Sequence, residues 1–171
     1  MQRLAWRSML CTGALLCAQV AIAADATPAS HSTTVLGAMN PLLAQGSEAL
    51  ERGSFEDGIR LTLAGLEAPA SGRDQAAGHS NICAGYAALK RWSEALEHCN
   101  RALELDSGNW RTYNNRAAVF VGLRQFDLAM TDVNTGLGIA PDSEILRKSR
   151  EVVLQHENAA KRERWRKPNK A

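Results

Sequence analysis

Catalytic signatures are what this sequence lacks. Its 171 residues hold no glycine-rich phosphate loop, no nucleophile elbow, no paired-cysteine zinc signature and no His-Glu-x-x-His helix. The histidines do not replace them. His31, His98 and His156 are far apart in the chain, and acid–base work needs a positioned partner. The expectation is a non-enzymatic protein without a cofactor or a catalytic metal. Long apolar runs are also missing, with one exception. Residues 9–23 are mostly apolar, follow Arg3 and Arg7, and end in Ala21-Ile22-Ala23, a small-x-small site. That layout is the one of a secretory signal peptide cut before Ala24. As an anchor the run is short of the about 20 residues a bilayer needs. Residues 1–23 are therefore expected to be a signal peptide, and the mature protein to be periplasmic or secreted.

Export changes what the remaining composition means. Cys11 and Cys17 leave with the signal, so the mature chain keeps only Cys83 and Cys99. Charge is uneven: acids exceed bases up to residue 146, and bases exceed acids from Arg147 onward. Residues 24–38 are small and polar and read as a flexible linker.

The ordered part is periodic. Residues 91–106, "RWSEALEHCNRALELD", form an amphipathic helical pattern, with Trp92, Ala95, Leu96, Cys99, Ala102 and Leu103 on one face. Shifting the chain by 34 residues lays Asn81 on Asn115, Tyr86 on Phe120, Trp92 on Phe126, Ala95 on Ala129 and Leu103 on Leu137. A further copy lies upstream at an offset of 37, with Phe55 on Trp92, Gly58 on Ala95, Ile59 on Leu96 and Leu66 on Leu103. The additional residues are assigned to the loop-like stretch 68–75, "APASGRDQ". Each unit reads as helix, short turn, aromatic and second helix. Small residues at Ala95, Ala102, Ala129, Gly136, Gly58 and Gly65 allow close helix approach.

These units resemble the tetratricopeptide repeat family, in an exported bacterial form, whose period is 34 residues of helix–turn–helix. The resemblance implies an all-α, right-handed α-solenoid of three units at 39–75, 76–109 and 110–143. A capping helix over 144–163 follows, with Ile145, Val152, Val153 and Leu154 apolar and Ser143 as its N-cap. A basic tail, 164–171, closes the chain. The resemblance also implies a groove on the concave side of the first helices that holds a peptide or protein segment. By position its lining includes Ser47, Ser80, Asn81, Ala84, Ala88, Arg111, Asn114, Asn115, Ala118 and Gly122. Asparagines there can donate to and accept from an extended backbone, or instead bond a neighbouring turn. Family members that clamp a terminal carboxylate carry basic residues where this chain has Leu43, Ser47 and Asn115; only Arg111 matches.

Cys83 and Cys99 keep three readings: two packed thiols, a disulfide joining the helices of the second unit, or a metal site with His79, which lies one turn before Cys83. The basic tail with Trp165 is either a solvated helix end or a weak contact for an anionic membrane; export argues against nucleic acid. The partner is expected to be a protein or peptide. Self-association as an envelope scaffold is the alternative.

Overall fold

The computed structural model describes residues 40–166, all of it helical apart from turns. The expected signal peptide, the linker and residues 167–171 lie outside the described residues. Seven helices follow one another: α1 (Pro41–Glu51), α2 (Phe55–Leu66), α3 (Gly72–Ala88), α4 (Trp92–Leu105), α5 (Trp110–Gly122), α6 (Phe126–Ile139) and α7 (Glu144–Arg166).

First and second helices begin by different means. The first helices start at side-chain caps. Asn40 accepts from the amide of Leu42 ahead of Pro41, Ser71 from that of Asp74, and Asn109 from that of Arg111. The second helices have no such cap. They emerge from a tight turn in which Gly53, Lys90 and Arg124 adopt left-handed backbone, at φ 81°, 58° and 60°. There the Arg91 amide reaches back to the Tyr86 carbonyl and the Lys90 amide to that of Ala87. The Gln125 and Arg124 amides repeat this on Phe120 and Val121, a double bond pattern that satisfies the last carbonyls of each first helix. Acids in the first turn, Glu56, Asp57, Glu94 and Asp127, then meet the positive helix end.

Packing sets the shape. The hairpins are α1/α2, α3/α4 and α5/α6, and each second helix packs on the next first helix. In addition α1 touches α3, α3 touches α5 and α5 touches α7, whereas α2, α4 and α6 make no such contacts with one another. A stack whose first row is closed and whose second row is splayed curves toward the first row. The concave face therefore belongs to α1, α3, α5 and α7. The architecture is the α-solenoid expected from the repeat.

Two local expectations are corrected. The stretch 68–75 is not a loop throughout. Ser71 caps α3 and bonds the Asp74 carboxylate at 2.9 Å, so Gly72 to Gln75 form an additional first turn of α3. The longer offset of the first unit is absorbed there. In α7 the buried apolar residues are Leu146 and Val153, while Ile145, Val152 and Leu154 are exposed. Leu146 fits against Gly136 of α6, where an added Cβ would lie 2.9 Å from a Leu146 methyl.

The first unit carries Gly58 where the others have alanine because Leu50 fills that space: a Cβ on Gly58 would fall 2.7 Å from the Leu50 Cδ2 methyl. Gly46 faces the Thr62 hydroxyl and, behind it, backbone. A Cβ there would lie 2.9 Å from the Thr62 amide nitrogen and 3.0 Å from the Gly58 carbonyl oxygen. Gly46→Ala should accordingly cost about 1–3 kcal/mol of stability by overpacking the α1/α2 crossing. Gly138, in α6, has nothing within 4 Å of such a Cβ, and Gly138→Ala should gain about 0.5–1 kcal/mol. Thermal unfolding of the two variants should move in opposite directions.

Candidate functional site

Ser47, Ser80, Asn81, Asn114 and Asn115 all lie on the first-helix row, but they are between helices rather than on the open face. Ser47 and Ser80 are 1 % exposed, Asn81 3 %. The Asn81 amide donates to Ser47 Oγ at 2.8 Å, joining α3 to α1. Thr112 Oγ1 donates to Ser80 Oγ at 2.9 Å, and the Asn115 amide reaches the Ser80 carbonyl at 3.3 Å, joining α5 to α3. Ser149 Oγ donates to Asn114 Oδ1 at 2.6 Å, joining α7 to α5. The result is a buried polar seam that holds successive first helices together. The bonds that these side chains make run to neighbouring helices rather than to a neighbouring turn. Asn81 Oδ1 is buried and has no partner.

What the row leaves open is a different set. Arg111 is half-buried, stacks its guanidinium over the Trp110 ring at 4.6 Å and, among the described residues, enters no ion pair. Ala118 and Gly122 are exposed and Ala88 partly so, whereas Ala84 is buried; the Trp92 indole lies where a Cβ on Gly122 would be. On α7, Ile145, Lys148 and Val152 share helical spacing with Ser149, whose bond to Asn114 fixes that face toward α5. Ile145 and Val152, two of the apolar residues of the expected cap, are 39 % and 44 % exposed. Basic and apolar groups thus gather at the α5–α7 end of the concave face. At the α1 end, Leu43 is buried and Ser47 is bonded.

Cys83 and Cys99 form a disulfide between α3 and α4, with Cα atoms 5.2 Å apart and both residues without exposure. Val119 and Ala95 complete that core. His79 Nδ1 and His98 Nδ1 are 2.9 Å apart across the same helix pair. Burial pushes both imidazoles below their ordinary pKa, and each depends on a nearby charge: His98 and Arg101 lower His79, while Glu97 opposes the shift in both.

A second polar group escaped the sequence reading. Arg116 of α5 pairs with Asp132 of α6 through two bonds of 2.8 Å and also donates to Asn100 of α4 at 2.9 Å. Its guanidinium pKa is raised, chiefly by the bonds to Asp132. A signal existed: Ala129, Asp132, Val133 and Gly136 are one helical face, and an acid in an apolar stripe has to be paired.

Residues 76–109 match the Tetratricopeptide repeat family model. Over 105 residues the chain is 30 % identical to Sperm-associated antigen 1 of Mus musculus, a match covering 61 % of this chain and 11 % of that protein. The chain thus spans about a tenth of that relative's length. Among solved structures it is similar to the Hsp90 co-chaperone Cns1 from Saccharomyces cerevisiae, with TM-score 0.65, 21 % identity, and 72 % of this chain and 40 % of that one covered. It is also similar to the second TPR domain of the human RPAP3 protein in complex with HSP70 peptide SGPTIEEVD. There the TM-score is 0.56 at 21 % identity, covering 64 % of this chain and 88 % of that one. The fold is that of tetratricopeptide solenoid domains, and residues 76–109 are one such repeat.

Proposed function

We propose that this protein is an exported, non-enzymatic adaptor that holds an extended protein segment along the concave face of its tetratricopeptide solenoid. The observation that carries the reading is the division of that face. Its polar residues near α1 and α3 are used in the seam, and its free groups are Arg111, Lys148, Ile145, Val152 and Ala118 near α5 and α7. Cations beside apolar side chains suit a segment carrying a carboxylate next to one or two apolar residues. The solenoid of RPAP3 was solved with a peptide ending in Glu-Glu-Val-Asp, which fits a segment of that chemistry. Here the basic groups of the first unit are replaced by Leu43 and Ser47, so recognition would rely on the other end. Export is supported by the buried disulfide, a bond that persists in oxidising compartments, and by the sequence layout of residues 1–23.

Selection of a random peptide library on the purified protein tests the proposal. Enriched peptides should pair acidic with apolar residues. Arg111→Ala and Lys148→Ala should each weaken a selected peptide severalfold and flatten its salt dependence, because exposed ion pairs are screened. Peptides that bind both variants as tightly as the wild type would remove the concave C-terminal end as the site. Sedimentation over a concentration range distinguishes self-association, for which the exposed Leu128 and Ile139 of α6 offer apolar surface. Intact mass of the exported protein, beginning at Ala24, tests the compartment.

A further inference from the structure

The histidine pair of the second unit has no role in the peptide reading, and its geometry is specific. His79 projects from α3 and His98 from α4, with their Nδ1 atoms 2.9 Å apart, ring centroids 5.2 Å apart and the ring planes tilted by 32°. The rings therefore meet head-on along a single N–H···N hydrogen bond, in which one Nδ1 carries the proton and the other offers its lone pair. That bond depends on the charge of the pair. With both rings neutral it is an ordinary hydrogen bond, and one added proton strengthens it by the charge on the donor. With two added protons both Nδ1 atoms are donors, and the N–H groups of two cations point at each other. The bond is then lost.

The pair sits where its loss would reach the neighbouring units. On one side of His79 in the chain, Gly78 receives Leu66 of α2, where an added Cβ would lie 2.8 Å from a Leu66 methyl. On the other side, Ser80 accepts from Thr112 and Asn115 of α5. The Cys83–Cys99 disulfide lies one turn beyond His79, toward the hairpin turn, so α3 and α4 stay joined there whatever the pair does. The end that can loosen is residues 72–79 of α3 with 98–105 of α4. The charged groups acting on the rings are Glu97 and Arg101, both of α4, and the Tyr86 ring of α3 flanks His98 at 5.6 Å between centroids. From α2 and α5 come the uncharged Leu66 and Thr112. Burial holds both imidazoles below their ordinary pKa, helped at His79 by His98 and Arg101 and opposed at both by Glu97. As pH falls, the unfolded chain therefore takes up protons before the folded one. The stability that the neutral rings contribute is complete above the ordinary histidine pKa of about 6.5 and is lost as pH falls through it. Both rings are partly exposed, so protons reach them without unfolding.

We propose that the His79–His98 bond is an acid-released latch. It holds while the pair carries at most one added proton. It opens when both rings are charged, loosening the joints of α3 with α2 and α5 while the disulfide keeps the hairpin together. The latch does not depend on the peptide-binding reading. The test uses the full chain with its disulfide intact, unfolded by urea at a series of pH values. Between about pH 7.5 and about pH 5 the unfolding equilibrium constant of the wild type should rise about tenfold more than that of His98→Gln. Glutamine can donate to the His79 Nδ1 or accept from it, so its bond survives either charge state. His79→Gln should behave alike, while His31→Ala with His156→Ala keeps the wild-type dependence. Ring resonances of His79 and His98, followed in the wild type alone, should titrate in two separated steps shared by both rings. Hydrogen exchange in acid should lose protection around residues 76–80 and keep it around the disulfide. A wild-type pH dependence retained by both glutamine variants, one that vanishes with His31 and His156, two independent titrations near the ordinary pKa of about 6.5, or protection lost evenly along the chain would each overturn the proposal.

Discussion

Asp132→Ala should destabilise the protein by about 3–5 kcal/mol, the largest loss expected from a single polar substitution. The reason is the charge left behind. The Asp132 side chain is 4 % exposed and the Arg116 side chain 22 %, so water does not replace the lost carboxylate on the inner side of the guanidinium. Arg116 would keep Asn100 and the faces of Tyr113 and Phe120, at 5.7 and 5.8 Å, but no anion. Removing both charges is different. Asp132→Leu with Arg116→Met replaces the pair by apolar volume and should recover most of the loss, because a buried ion pair seldom outperforms a packed apolar substitute. Urea unfolding of the single and double variants measures this. A loss below about 1 kcal/mol for Asp132→Ala, in the range of an exposed surface pair, would show that the pair is open to solvent.

Breaking the Cys83–Cys99 bond should cost about 3 kcal/mol. The bond closes a loop with a sequence separation of 16, and the entropy withheld from the unfolded chain by a loop of that length has roughly this size. Cys83→Ala with Cys99→Ala is the cleaner comparison, since alanine puts no hydroxyl into the core made with Ala95 and Val119. It also leaves a small cavity, which adds to the loss. Because both residues are shielded, reductant should act on the native protein only as fast as the second hairpin opens. Thiol release followed over time, with and without low urea, reads that rate. Rapid release without urea would mean that α3 and α4 separate freely.

The 34-residue period made most of this architecture legible. Alignment of Tyr86 with Phe120 and of Trp92 with Phe126 located the hairpins, because a helical hairpin repeats its contacts as well as its residues. The Ser143 cap followed from local chemistry. Three things were not legible. The start of α3 was hidden, because Gly72 and its neighbours are loop-like in composition and only the Ser71–Asp74 cap turns them into helix. The burial of Asn81 and Asn115 was hidden, because periodicity says which face a residue occupies and not how closely the next helix approaches. Ser47, Ser80 and Ser149 are small enough to let that approach happen. The exposure of Ile145 and Val152 was hidden for the opposite reason. Apolar residues on a last helix look like core, and only the absence of a helix over that face among the described residues leaves them open.

The placing of α7 bears on how such a chain can lengthen. It occupies the seat of a first helix: it packs on α6 as α5 packs on α4, and it bonds α5 through Ser149 as α5 bonds α3 through Asn115. It needs nothing from α1 to α4. A duplicate of residues 110–143 inserted ahead of Glu144 would meet α7 on one side, as the present third unit does, and on the other the α5/α6 surface on which α7 now sits. The gene could therefore grow by one unit in a single tandem duplication without redesign of either end, and the product would be a longer arc with the same terminus.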